Sequence, residues 1–258
     1  MKANKILTGF MVVSIGFLLT ACGHPAKQKA DGAHKPNTEQ LQQTLTSKQT
    51  QKLVNEALNN STTSAVIDLK SVTKIKKGKT QKEHNITKYS SDSNVIYRKL
   101  GTGETKSKGS LLWGNSKTMY AKVNGKWYKA SSNNAVKGIK SSKKMLTDTI
   151  KTFSNKKMLP YVTAKREHGV GINGLVRMSY DVSTHAKGNL QDAPTHNRVT
   201  MIVNENTKQV TDIQLEKITN YNNGTDVTIK AHFSQINELN DLNIPKKVRK
   251  NAIKASLN

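Results

Sequence analysis

The chain of 258 residues has one cysteine, two tryptophans and four phenylalanines. A lone thiol excludes an intramolecular disulfide, so the folded part must stand on its apolar core. That core is adequate rather than generous, with 34% hydrophobic and 5% aromatic residues. Acids are scarce, 17 against 42 lysines and arginines, and the formal charge is +25. Arginine is scarce as well: only Arg98, Arg166, Arg177, Arg198 and Arg249. Readers of phosphates and base edges favour the arginine fork and clustered charge. Here lysines are spread along the whole chain, so no nucleic-acid partner is expected. An anionic surface or polymer, or a merely solvated exterior, fits the excess lysine better.

Catalytic patterns are missing too. There is no Gly-x-Ser-x-Gly elbow, and the acids are scattered singly, although a pair built from distant strands is not excluded. The histidines, at 24, 34, 84, 168, 185, 196 and 232, have no i, i+2 or i, i+4 spacing, so no metal site is expected. A folded cluster of His168, His185 and His196 is conceivable, but surface positions are the simpler reading. Gly169-x-Gly171-x-x-Gly174 fits GxGxxG, yet Leu175–Val182 after it reads as a strand. A dinucleotide loop must open a helix, so this is a hairpin loop. No cofactor is expected and the chain is read as a non-enzyme.

What is present begins at the amino end. Lys2 and Lys5 precede an apolar run from Ile6 to Leu19, then small residues and Cys22. A basic n-region, a short h-region and a small-residue cleavage point make a signal peptide over residues 1–21. A run this short falls below the roughly 20 apolar residues of a spanning helix. Leu19-Thr20-Ala21-Cys22 resembles a bacterial lipobox. That resemblance implies diacylglyceryl transfer to the Cys22 thiol and cleavage before it, which leaves no thiol for a Cys–His pair. Two acyl chains, at about 0.8 kcal/mol per buried CH₂, hold a protein on a membrane. Residues 22–39, rich in Lys, Ala, Gly and Pro, then form a flexible tether.

Residues 40–258 read as the folded domain. Thr46–Asn60 predicts a helix with a stripe of Leu53, Val54, Ala57 and Leu58. From Ser64 the period becomes two, through strands divided by turns at 76–79, 90–94, 101–110 and 115–117. Asn124-Gly125, between Tyr120–Val123 and Lys126–Lys129, is the sharpest hairpin signal. Ser131–Ser142 is polar and reads as a loop, and Lys143–Phe153 predicts a second helix. Strands then resume from Tyr161 to Ser234, and the tail from Asn243 is irregular with a last turn of helix. Crossover helices are missing, which argues against a doubly wound parallel sheet. The predicted class is α+β: a large curved antiparallel sheet with two or three helices covering its concave face.

This layout, with "GKWYKA" at Gly125–Ala130 and Asn243-Ile244-Pro245 near the close, resembles Gram-positive cell-surface lipoproteins similar to the LolA/LppX group of lipoprotein and lipid carriers. The resemblance covers about Thr46 to Ala252. It implies a half-open barrel around helices, with an apolar cavity for acyl chains, and carries no functional residue over.

The expected activity is binding of a hydrophobic or lipid-like ligand in the concavity by a monomer held on the outer face of the cell membrane. Trp113, Met119, Tyr120, Trp127 and Tyr128 are aromatic and Met candidates for its lining, with ordinary packing as the competing account. Met145, Leu146, Ile150 and Met158 form an adaptable apolar set suited to a loose ligand. The alternative is an envelope scaffold that binds anionic wall polymer through its lysines.

Overall fold

The computed structural model describes residues 44–60, 62–76, 78, 80–102, 110–167, 174–186, 193–221 and 224–255. Cys22, the signal segment and the tether lie outside them.

Helix α1 spans Ser47–Asn59. Thr46 caps it: its hydroxyl accepts from the Gln49 amide, and the Gln49 side chain accepts from the Thr46 amide. This reciprocal pair satisfies two donors that an open helix end would leave bare. Twelve strands make one sheet: β1 (Ser64–Ile75), β2 (Gln81–Ser90), β3 (Val95–Thr102), β4 (Ser110–Gly114), β5 (Thr118–Val123), β6 (Lys126–Ser131), β7 (Thr163–Arg166), β8 (Leu175–Ala186), β9 (Ala193–Asn204), β10 (Gln209–Asn220), β11 (Thr225–Ser234) and β12 (Ile253–Lys254). Helix α2 (Asn134–Thr152) follows β6, and a short α3 (Lys246–Asn251) precedes β12.

The strand order is β12-β6-β5-β4-β3-β2-β1-β11-β10-β9-β8-β7. Two meanders therefore meet at the β1–β11 pair. All ladders are antiparallel except the two-residue β12–β6 contact. The ends β7 and β12 do not pair with each other, so the sheet is open. The α+β class and the helix-covered antiparallel sheet are as the sequence predicts.

Alternation along the strands separates two cores. On the inner face, Ile67, Tyr89, Ile96, Met178, Met201, Ile213 and Phe233 pack with Leu53, Val54 and Ala57 of α1 and with Ile139, Leu146 and Ile150 of α2. On the outer face, Val95 and Tyr120 meet Ile244, Val248 and Ala252, with Trp113, Trp127 and Leu242 around them. Adjacent residues Val95 and Ile96 belong to different cores, which fixes the sidedness of the sheet.

Three local readings change. Helix α2 starts at Asn134, nine residues before the predicted start, because Ala135, Ile139 and Ser142 continue the buried stripe of Leu146 and Ile150. Gly138, Ser141 and Ser142 make that first half a poor helix by propensity, and tertiary burial overrides it. The β8 and β9 arms run on into the segment 183–195, whose described residues pair as Ser183↔His196 and His185↔Pro194. The tail forms its expected last turn of helix as α3 and gains the strand β12. The Asn124-Gly125 turn has φ of 50° and 82°, the doubly positive pair that a type I′ turn requires. Gly169–Ile172 and Asn173 fall outside the described residues; Gly174 leads into β8, which pairs back on β7.

Candidate functional site

The concave face is best described in transverse rows, each one a line of directly paired residues. The first described row reads Tyr128, Ala121, Leu112, Arg98, Thr87, Ile67, Phe233, Ile213, Met201, Met178, Ala164 from β6 to β7. Arg98 is its single charge. The next row, Leu100, Asn85, Leu69, Ala231, Leu215, Val199, Tyr180, has none. The third, Thr102, Glu83, Ser71, Ile229, Lys217, Asn197, Val182, carries Glu83 and Lys217. A fourth ends in threonines, where the buried Thr195 and Thr219 hydroxyls bond to each other at 3.3 Å. Polarity thus rises from the helix-covered end toward the rim.

Burial follows the strands rather than the rows: Val182, Thr195 and Thr219 of the third and fourth rows stay buried on β8–β10. Met201, Ile213 and Phe233 are fully enclosed, whereas Leu100, Leu112, Tyr128, Val227 and Ile229 are half-buried. Those five face inward and join neither cluster of buried residues. They leave apolar surface on the inner wall, with Leu112 and Tyr128 in the first row and Ile229 and Val227 toward the rim, which is the usual lining of a site for an apolar molecule.

Two polar groups of this wall lie deep and unanswered. The Tyr89 hydroxyl and the Arg98 Nε are buried with no hydrogen-bond partner. Burial without a countercharge lowers the Arg98 pKa and raises that of Tyr89. Lys217 is lowered for the same reason. The Tyr180 phenol is pushed up to about 12 by burial, although a hydrogen bond with Thr152 opposes the shift. Its ring packs on Phe153 at 5.1 Å.

The structure divides the residues named from sequence. Leu146 and Ile150 of α2 are fully buried in the main core, and Met158, just after that helix, is nearly so. Met145 and Met119 are partly buried against the same core. Trp113 and Tyr120 sit on the outer face with Trp127, in the second core. Trp113 packs there on Tyr97, ring centres 4.8 Å apart. Tyr128 is the aromatic candidate that does face inward. Arg98, Leu100, Leu112, Lys217 and Ile229 were not singled out from sequence. The register that puts them on one wall depends on pairings across the whole sheet, and strand parity was the available signal.

The outer face carries paired charge. His84 meets Asp68 at 2.9 Å and His196 meets Asp181 at 2.8 Å, and His232 bonds Asp212. The cross-strand ladders bring these pairs together, at separations of 16 residues or more in two of the three cases. His168 lies outside the described residues. Among the described residues no cluster of three metal-ligating side chains occurs, and no helix is long and apolar enough to cross a membrane.

No family model matches the chain, and no curated protein matches it. Solved structures match it at low identity and low TM-score. LprF from Mycobacterium bovis is similar over 76% of this chain and 96% of its own, with 10% identity and a TM-score of 0.41. A LolA superfamily protein from Nitrosomonas europaea is similar over 77% of this chain and 96% of its own, with 8% identity and a TM-score of 0.26. An S-type phycobiliprotein lyase from Guillardia theta follows at 77% and 97%, with 6% identity and a TM-score of 0.24.

Proposed function

We propose that the chain is a lipid-anchored protein of the outer face of the cell membrane that binds a hydrophobic or lipid-like ligand in the concavity of its sheet, without catalysis. The observation that carries the reading is the inward-facing set Leu100, Leu112, Tyr128, Val227 and Ile229, half-buried and outside both cores. A wall that served only as a core would be expected to enclose these side chains, since interiors pack to high density. The Leu19–Cys22 pattern supports the anchor.

Two experiments test the two halves. Metabolic labelling with a tagged fatty acid should mark the chain, and Cys22→Ser should release it from membranes. An unlabelled chain, or a variant that stays membrane-bound, would remove the anchor. Gentle extraction followed by native mass spectrometry should show a retained lipid that denaturation removes.

A second reading has its own observation. Lys122, Lys126, Lys246, Lys247, Arg249, Lys250 and Lys254 are all exposed along the β5–β6 edge and the C-terminal segment. β5, β6, α3 and β12 hold no acid. Such an edge suits an anionic wall polymer, whose binding should weaken steeply as salt rises. Binding that ignores salt, or its absence, would remove this reading.

A further inference from the structure

We propose that the ligand carries a single anionic head group which docks on Arg98 beneath α2, with its acyl chain running along the wall toward Ile229. This inference rests on the reading of the concave face as a ligand site and names the chemistry that site selects.

Arg98 is the one charge in a row of eleven paired residues that crosses the sheet from β6 to β7. Its row neighbours are Thr87 and Leu112. Its Nε is buried with no partner, and it makes no ion pair among the described residues. The acid of the same face in the neighbouring strand, Glu83, is exposed and four residues along β2 from Thr87. At about 3.3 Å per residue that places it about 13 Å away along the strand. Arg98 is half-buried, and a guanidinium partly withdrawn from water without an anion is a costly arrangement. It becomes favourable when a carboxylate or phosphate completes it, because the planar fork takes such groups bidentately.

Two neighbours make the spot a cradle. A side chain added at Gly138 of α2 would meet Arg98 Nη2 at 3.2 Å and Ile96 Cδ1 at 3.0 Å, so the guanidinium lies directly against the bare helix backbone. The Tyr89 hydroxyl, fully buried and unpartnered, belongs to the adjacent strand one row deeper. It is a second donor for the same anion. Leu112 flanks Arg98 in its own row, and beyond it the next row offers Leu100, Leu69 and Leu215, with Asn85 between the first two, before Ile229 nearer the rim. Lys217 in the rim row is a cation with no carboxylate partner among the described residues and adds to the attraction for anions.

Free fatty acids and anionic phospholipids share this head chemistry. The test is displacement of the neutral dye Nile red from the purified full-length protein by four ligands: oleate, oleyl alcohol, dioleoylphosphatidylglycerol and dioleoylglycerol. A charge-assisted bidentate contact predicts that at least one acid displaces the dye at about one tenth the concentration of its neutral counterpart. Preference in the oleate pair alone marks a fatty acid, and preference in the glycerolipid pair alone marks a phospholipid. Arg98→Met should bring both pairs within about twofold, since only the charged contact is removed. Gly138→Ala is the second variant: alanine favours the helix, so the fold is kept while the guanidinium is displaced, and the preference should shrink. Ligands that bind well but without regard to charge would overturn this inference and leave the ligand site standing. Failure of the dye and all four ligands to bind would remove both.

Discussion

The outer faces of β8–β11 and the concave faces of the same strands and their partners handle charge in opposite ways. Outside, Asp181 takes both His196 and Arg198, Arg198 reaches Glu216 at 3.9 Å, and Glu216 holds Lys230 at 2.8 Å. Each of these charges has an opposite neighbour within one strand, and water is close by. Inside, Arg98 and Lys217 are half-buried and have no acid paired to them among the described residues. An exposed pair contributes little to stability, whereas a buried lone cation works against it. The outer arrangement is what solubility requires of a basic surface. The inner one is the arrangement that the proposed anionic ligand would complete.

Disrupting the helix-covered core gives the largest expected effect. Phe233→Ala, fully buried between α1, α2 and the sheet, should cost about 3–5 kcal/mol in urea unfolding. Val248→Ala in the outer core should cost about 1–2 kcal/mol, because that cluster is smaller and nearer solvent. Equal losses would mean that the two cores are not separate supports. The next effect has the opposite sign. Arg98→Met should raise the melting temperature of the ligand-free protein, by an amount equivalent to about 1–3 kcal/mol, since an apolar group replaces an unpaired cation. The matching change outside, Arg177→Met, should shift stability by less than about 0.5 kcal/mol. Destabilisation by Arg98→Met would show that the inner charge already has a partner.

pH sharpens the contrast. Lys217 has a folded-state pKa below its ordinary value, so between the two the unfolded chain binds more protons than the folded one. Stability therefore rises with pH through that alkaline window, and Lys217→Met should flatten the rise. Glu205 runs the other way. Its bidentate contact with Arg166, at 2.9 Å on each oxygen, holds its pKa below the ordinary carboxylate value. Its contribution is present above that value and is lost as pH falls through the folded pKa. Glu205→Gln should flatten the acid limb of a stability-against-pH curve. The smallest effect belongs to the outer pairs: His232→Gln should change stability by about 0.5 kcal/mol or less.

The sheet was readable because its strands alternate and its turns are marked by residues that tolerate positive φ, at Asn94, Asn124 and Gly125 among others. The first half of α2 was not, since Gly138, Ser141 and Ser142 carry a loop-like composition and only their contact with β3 and β4 makes them helical. Nor were the arms of β8 and β9, where Ser, Thr and His follow one another in sequence and the apolar alternation stops. The aromatic candidates show a further limit. Trp113, Met119 and Tyr120 stand close in sequence, yet strand parity sends Met119 inward and the other two outward. Arg98 carries no local mark at all: between Tyr97 and Lys99 it reads as one more surface cation, and only the position of α2 buries it.

Native mass spectrometry of the protein released gently from its own membranes tests the central claim most directly. The prediction is a bound mass, beyond the covalent anchor, that disappears on denaturation and carries an acidic head group. A protein that arrives without any non-covalent passenger, and takes up none when offered lipid, would contradict it.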